Sequence, residues 1–102
     1  MLTNLLKETL NAMESCHKKW EDIDFIAFKD NMPISLEDFK KFANFEYDSG
    51  FGGAKVSENL VIVFKDGSWL ERAEYDGSEW WEYKKTPEKP LEEGSFNPLF
   101  NY

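Results

Sequence analysis

Hydrophobic and polar residues alternate most clearly in the second half of the chain, where two turn signals separate three β-favouring segments. The segments span residues 59–64, 69–75 and 79–85, and each is rich in β-branched or aromatic residues. The turns between them contain Asp66-Gly67 and Asp76-Gly77, and Asp-Gly strongly favours tight hairpins. The pattern therefore predicts an antiparallel three-stranded meander over residues 59–85.

Two hairpin geometries fit these turns and place different residues on each face of the sheet. With two-residue loops, Phe64 lies opposite Trp69, and Arg72 comes within reach of the Trp81 ring for a cation–π contact. This register places together on one face Leu60, Ile62, Phe64, Trp69, Ala73 and Trp80. A type I turn with a bulge at each glycine instead shifts each pairing by one residue and reverses the outer strands' faces relative to the middle strand. Both registers leave aromatic rings on both faces, so either both sides are covered or an aromatic patch is exposed.

Helical periodicity appears twice before the meander. Near the N-terminus, apolar residues recur every three or four positions and predict an amphipathic helix over about residues 4–20, with Thr3 as its N-cap. The stripe expected to face the sheet comprises Leu6, Leu10, Met13, His17 and Trp20. A short second helix is predicted over about residues 36–45, with Ser35 as its N-cap, because Pro33 disfavours an earlier start.

Between these helices, residues 23–29 are rich in β-branched and aromatic side chains and predict a further strand. Because Asp24 is charged, we expect this strand either to lie at a sheet edge or to have one face in contact with solvent. Together the elements predict an α+β fold, in which an antiparallel sheet of three to five strands is packed by the N-terminal helix and the short second helix. The length of 102 residues suits one domain over residues 1–102, with an extended tail from about residue 86.

A glycine-rich stretch precedes the meander and predicts a flexible loop, with positive φ angles available to its glycines. It comprises Gly50, Phe51, Gly52 and Gly53. The stretch lacks the Gly-Lys-Ser/Thr ending of a phosphate-binding loop. A flexible connector is therefore the favoured interpretation, and a mobile binding lip is the alternative.

The net charge limits the classes of partner, and the cysteine content indicates the cellular compartment. The chain has 20 acidic and 12 basic residues and a formal net charge of −8, which disfavours contact with nucleic acid and with anionic membranes. A charged partner is therefore expected to be basic. The single cysteine excludes an internal disulfide and suits a reducing compartment, so we expect cytoplasmic localisation.

Catalytic and metal signatures are weak. Cys16 and His17 are the sole residues of their types, and adjacent helical positions point about 100° apart, so they do not form a dyad. A structural zinc site needs more such ligands. The remaining candidates for catalysis are the carboxylates of Glu71, Glu74, Glu79 and Glu82, which give a small hydrolase as a third and less favoured hypothesis. We expect no enzymatic activity, no cofactor and no metal.

Acidic and aromatic residues interleave within the meander, where six acidic residues and one basic residue lie between Asp66 and Glu82. Aromatic anchors rimmed by one sign of charge suit docking on a protein surface of the opposite charge. The candidate binding residues are Trp69, Glu71, Glu74, Tyr75, Asp76, Glu79, Trp80, Trp81 and Glu82. The main hypothesis is a non-enzymatic protein-binding module, such as an inhibitor or adaptor, that engages a basic partner. Rings pointing inward and acids pointing outward would explain the same residues.

A second hypothesis is that the chain is a self-associating accessory protein. A strand edge at residues 23–28 or the apolar tail at residues 96–102 could pair with a second copy and form a homodimer. The tail's apolar side chains are Phe96, Leu99, Phe100 and Tyr102.

The sequence Tyr75-Asp76-Gly77-Ser78-Glu79-Trp80-Trp81, followed by Pro87 and Pro90, resembles part of small uncharacterised proteins of bacteria and their phages. The likeness is a strand–turn–strand with a tryptophan-rich ending, and it carries no catalytic residues. The short, acidic and aromatic chain is also similar in type to phage-encoded inhibitors that occupy the nucleic-acid groove of a host protein. The resemblance implies a phage or prophage origin and an inhibitory, protein-binding role.

Overall fold

The computed structural model describes residues 2–28, 32–50 and 56–87, and these contain two α-helices and seven strands. The helices are α1 (Leu5–Ser15) and α2 (Leu36–Phe42). The strands are β1 (Leu2–Asn4), β2 (Ile23–Phe28), β3 (Met32–Ile34), β4 (Glu46–Asp48), β5 (Val61–Phe64), β6 (Trp69–Tyr75) and β7 (Ser78–Lys84). Neither helix is long and apolar enough to cross a membrane.

The main sheet has five antiparallel strands in the order β3-β2-β5-β6-β7, and β1 and β4 form a separate antiparallel pair. The predicted α+β class, the meander and the N-terminal helix are confirmed. An edge position for residues 23–28 was wrong, because β2 pairs with β3 on one side and with β5 on the other. Asp24 is exposed where the β2–β5 register shifts between Ile23 and Phe25, so the strand accommodates its charge without lying at an edge. Strand β2 therefore has no free edge through which it could pair with a second copy.

The two Asp-Gly turns adopt different geometries. In the first, Gly67 has a φ of 89°, its N–H donates to the Phe64 carbonyl at 3.0 Å, and the Phe64 N–H donates to the Ser68 carbonyl at 2.8 Å. This is a type I turn with a glycine bulge, and it places Val63 opposite Trp69.

The second turn is a two-residue loop. Asp76 and Gly77 have φ angles of 52° and 85°, which is the type I′ combination whose twist matches the flanking strands. Ala73 consequently lies opposite Trp80, as the two-residue register requires. The chain therefore uses one of each predicted geometry.

This difference decides which residues share a face. The additional residue at Gly67 shifts β5 by one position, so Ile62 lies opposite Leu70 instead of Glu71. The grouping expected from two loops of equal length was therefore wrong for β5. Its residues Ile62 and Phe64, and Leu60 just before it, lie on the side of Leu70, Arg72 and Trp81 instead of the side of Trp69, Ala73 and Trp80.

Both helices pack on this side of the sheet, which we call the inner face. The buried cluster includes Leu5 and Met13 from α1, and Phe39 from α2. From the sheet it includes Ile26, Ile62, Phe64, Leu70 and Trp81, and Leu60 joins it from the residue before β5. The core thus lies between the inner face and the two helices, and the opposite side of the sheet is the outer face.

Helix α1 begins and ends inside its predicted bounds. The Asn4 side chain, and not Thr3, caps it by accepting from the Lys7 N–H at 3.1 Å, because Asn4 directly precedes the first helical residue, whereas the Thr3 hydroxyl bonds the Ser49 hydroxyl at 2.8 Å. Its C-terminus is closed by His17, which has a φ of 60°, and by a 2.8 Å bond from the Lys18 N–H to the Met13 carbonyl. The buried positions are Leu5, Thr9 and Met13, so the predicted stripe is rotated about the helix axis, and His17 is exposed.

Helix α2 begins where predicted. The Ser35 side chain accepts from the Asp38 N–H at 3.1 Å, and Ile34 and Phe39 join the core on either side of this cap. The helix ends at Phe42, shorter than expected. Residues 51–53 of the glycine-rich loop and residues 88–102, which include the apolar tail, lie outside the described residues.

Replacing Gly67 by alanine should lower the free energy of unfolding by about 1–2 kcal/mol, because a left-handed conformation is costly for a residue with a Cβ. No atom lies within 4 Å of the added Cβ, so the loss isolates backbone strain. Gly50→Ala, where the nearest atom is 3.9 Å away and φ is not positive, serves as control. Urea unfolding of both variants makes the measurement, and equal losses would contradict the bulge geometry.

Candidate functional site

The outer face of the sheet carries a patch of aromatic rings and carboxylates. One cross-strand row contains Phe25, Val63, Trp69 and Lys84; the next contains Ala27, Val61, Glu71 and Glu82; a third contains Ala73 and Trp80. Phe25 is 47% exposed and Trp80 is 39% exposed, whereas Ala27 is buried. Because the core lies on the inner face, these rings are available on the outer face.

Two carboxylates face each other near the middle of this patch. Glu71 and Glu82 are directly opposite across β6 and β7. Glu71 accepts from the Trp69 indole N–H at 2.9 Å, and the Lys84 ammonium lies 4.0 Å from Glu82. The side chains of Lys84 and Glu82 are each 47% exposed, so this ion pair contributes little.

The tip of the second hairpin extends the acidic surface. Glu74, Tyr75 and Asp76 are all exposed, and Tyr75 is 77% exposed. The tip therefore places an accessible ring between two carboxylates. Tyr75 and Asp76, together with Trp69, Glu71, Trp80 and Glu82, form what we call the docking surface, whereas Glu74 lies opposite Glu79 and belongs to the inner side.

The other two candidate residues, Glu79 and Trp81, lie on the inner side and are buried. Trp81 donates its indole N–H to the Thr9 hydroxyl at 2.9 Å, and Thr9 donates to the Leu5 carbonyl at 2.8 Å. Glu79 accepts from the Val56 N–H at 3.0 Å. These two residues hold the helix and the chain preceding β5 against the sheet.

Arg72 organises the inner side behind the docking surface. Its guanidinium contacts Glu79 at 3.0 Å, Glu8 at 3.3 Å and the Tyr47 hydroxyl at 2.9 Å. It also lies 4.9 Å from the centroid of the Trp81 ring, so the predicted cation–π contact is confirmed. This Arg72 cluster joins β6 and β7 to α1 and β4.

The sequence did not indicate Glu8 and Tyr47 as members of this cluster. Glu8 belongs to the polar face expected for the N-terminal helix, and Tyr47 adjoins a glycine-rich stretch with no clear periodicity. Their contact depends on the pairing of β1 with β4, which places Thr3 opposite Tyr47. A three-residue pairing between strands so far apart in sequence has no local signal.

Burial and hydrogen bonding shift several ionisations. Burial, and then the bond to the Glu8 carboxylate, raises the pKa of Tyr47 to about 12. Hydrogen bonds from Lys18 and Ser68 hold the pKa of Asp66 well below its usual range. Burial raises the pKa of the Cys16 thiol, which donates to the Ala12 and Met13 carbonyls at 3.4 Å. That thiol is therefore a poor nucleophile at neutral pH.

The four glutamates proposed for catalysis do not converge on one cleft. Glu71 and Glu82 lie on the outer face, whereas Glu79 is paired with Arg72 on the inner side and Glu74 is at the exposed hairpin end. Within residues 2–28, 32–50 and 56–87, no group of three or more His, Cys, Asp or Glu side chains is arranged to hold a metal ion.

Comparison with known proteins finds no matching family model, curated protein or solved structure. The geometry of the chain itself therefore carries the functional argument.

Replacing Arg72 by methionine should lower the free energy of unfolding by about 3–5 kcal/mol, because the buried carboxylate of Glu79 and the largely buried one of Glu8 lose their cation. Lys84→Met removes a cation from an exposed position and should change stability by less than about 0.5 kcal/mol. Urea unfolding at neutral pH compares the two variants. A similar small loss for both would show that the cluster contributes little to stability.

The raised pKa of Tyr47 predicts a loss of stability at alkaline pH. The unfolded chain releases this proton near pH 10, whereas the folded chain keeps it to about pH 12, so the free energy of unfolding falls as the pH rises between these values. Tyr47→Phe is expected to be less stable at neutral pH and to lack this component of the alkaline loss. The prediction is tested by measuring the unfolding free energies of both proteins across this pH range. Parallel dependences on pH in the two proteins would contradict it.

Proposed function

We propose that the chain is a non-enzymatic protein-binding module that applies its docking surface to a basic surface of another protein. The observation that carries this proposal is that, among the described residues, both helices pack on the inner face, while the outer face carries exposed rings and two directly opposed carboxylates. Aromatic anchors beside charges are the usual source of affinity and specificity at protein interfaces.

Exposed ring area supports a binding role. Trp80 and Tyr75 are exposed within the hairpin of β6 and β7. Phe25 is exposed on the same sheet face, on β2, which is separated from that hairpin by β5. Soluble monomers rarely expose such groups together without an interaction that covers them.

The charge of the patch supports a basic partner. Glu71, Asp76 and Glu82 belong to the docking surface, and Lys84 is a neighbouring base. A two-fold pairing of this surface with a second copy would bring like charges together, so a different, basic protein is the better occupant.

The Arg72 cluster supports a pre-formed surface. It ties the two strands that carry the docking surface to α1 and β4 from behind, through charge-assisted hydrogen bonds. A surface held in this way loses little conformational entropy on binding, which favours affinity.

An inhibitory or adaptor role in the cytoplasm is the finer form of this proposal. Basic grooves that bind nucleic acid attract acidic surfaces through the same long-range field. A small acidic module that covers such a groove would compete with nucleic acid for it, as the resemblance to phage-encoded inhibitors implies.

Affinity capture from the source cell with charge-reversed variants tests the proposal. Glu71→Lys with Glu82→Lys should abolish recovery of a basic partner that the unchanged protein retains, as identified by mass spectrometry. The substitution keeps a like-charge pair at these opposite positions, so the fold should survive, and circular dichroism checks that it does.

The matched control is Glu14→Lys with Glu21→Lys, which makes the same change in net charge at exposed positions outside the docking surface. Recovery of the partner by this control, together with its loss in the Glu71/Glu82 variant, is the expected result. Equal recovery by all three proteins would refute docking through this surface.

A further inference from the structure

We propose that the centre of the docking surface is a subsite for one arginine side chain of the partner, held by Glu71 and Glu82 between the indoles of Trp69 and Trp80. This inference rests on the proposed function and specifies the chemical group that the docking surface recognises. Four features of the described residues carry it.

The first feature is a pair of like charges with little local compensation. Glu71 and Glu82 occupy directly opposed positions, an arrangement that destabilises a sheet. Among the described residues, Glu71 accepts from the Trp69 indole N–H, and the exposed Lys84 ammonium lies 4.0 Å from Glu82. Two carboxylates offer several acceptor positions, so most remain available to a cation.

The second feature is the placement of the rings. Along β6, Trp69 precedes Glu71 by two residues, and along β7, Trp80 precedes Glu82 by two residues. In the antiparallel register the two indoles therefore stand on the same face at opposite ends of the carboxylate pair, each diagonal to the glutamate on the neighbouring strand. A cation above the carboxylates would have an indole at each end.

The third feature is the small residue beside Trp80. Ala73 lies directly opposite it and ends at Cβ, so the ring has no large cross-strand neighbour on β6. Trp80 is 39% exposed, whereas Trp81, the adjacent residue on the opposite face, is 8% exposed. The outward indole thus keeps a surface on which a planar group could stack.

The fourth feature is the direction of the Trp69 indole. Its N–H donates to Oε1 of Glu71 at 2.9 Å, which fixes the carboxylate beside the ring and leaves Oε2 outside this bond as a further acceptor. The arrangement therefore sets an acceptor and an aromatic ring side by side.

Arginine fits these features better than lysine. Its planar guanidinium presents five donors in a fork that can bridge carboxylates, and it stacks on indole rings. A lysine ammonium is a compact, strongly hydrated charge that would engage one carboxylate at a time. The same comparison predicts that Lys84, which already approaches Glu82, competes with the incoming group.

Nuclear magnetic resonance of the full chain, labelled with nitrogen-15, tests the subsite through its indole N–H signals. The probes are oligoarginine, oligolysine and oligocitrulline peptides of equal length. Oligoarginine should shift the Trp69 and Trp80 signals along a saturable curve, more tightly than oligolysine, while oligocitrulline should not bind. The Trp81 indole, buried on Thr9, should not shift and serves as an internal reference.

Variants separate the subsite from general attraction to an acidic protein. Glu71→Gln with Glu82→Gln should weaken oligoarginine at least about tenfold, as expected for loss of charge-assisted hydrogen bonds, whereas Glu14→Gln with Glu21→Gln should weaken it much less. Lys84→Gln should strengthen binding about two- to threefold by removing the competitor, and Lys7→Gln, which makes the same charge change on α1, should have a smaller effect.

Several results would overturn the subsite: no saturable shift of either indole, equal affinity for arginine and lysine peptides, or equal weakening by the two glutamine pairs. If any of these appears while partner capture still depends on Glu71 and Glu82, the docking proposal stands and the arginine subsite falls. If capture is also independent of those residues, both proposals fall.

Discussion

The buried guanidinium of Arg72 is the interaction on which the rest of this small fold depends. A cation on the inner face of a sheet is unfavourable unless carboxylates, hydroxyls and rings surround it, and here Glu8, Glu79, Tyr47 and Trp81 do so. These groups come from α1, β4 and β7, and Arg72 itself comes from β6, so the full set of contacts forms only when all four elements are in place. The cluster therefore couples the positions of α1 and β4 to the hairpin of β6 and β7.

The same cluster determines what is left outside. Successive side chains of a strand point to opposite faces. Because Arg72 and Trp81 point inward, the residues on either side of them in β6 and β7 point outward, and these are Glu71, Ala73, Trp80 and Glu82. The inner side is thus polar at one end and apolar elsewhere, and its carboxylates are matched by a cation. Of the outer carboxylates, Glu82 has the exposed Lys84 ammonium at 4.0 Å, and Glu71 accepts from the Trp69 indole. Acids of the same hairpin therefore lie in two environments, one buried beside a cation and one at the surface.

Local chemistry explains where the sequence was informative. Asp-Gly dipeptides, the Ser35 cap and alternating strand residues act over a few positions, and they gave the meander, the second helix and the α+β class. Sequence alone did not reveal the pairing of β1 with β4, the internal position of β2 or the inward direction of Glu79, because each depends on contacts between distant segments. Trp69, Glu71, Trp80 and Glu82 could be grouped in advance, since they lie on adjacent strands joined by a short turn.

The glycine bulge at the first turn gives an exposed loop an unusual intolerance to changes in length. Surface turns generally accept insertions and deletions, since little packing crosses them. Loss of one residue between Phe64 and Ser68 would reverse the sides of β5, moving Ile62 and Phe64 into solvent and Val61 and Val63 against the helices. The spacing of this loop is therefore a constraint of the hydrophobic core, although the loop itself lies in water.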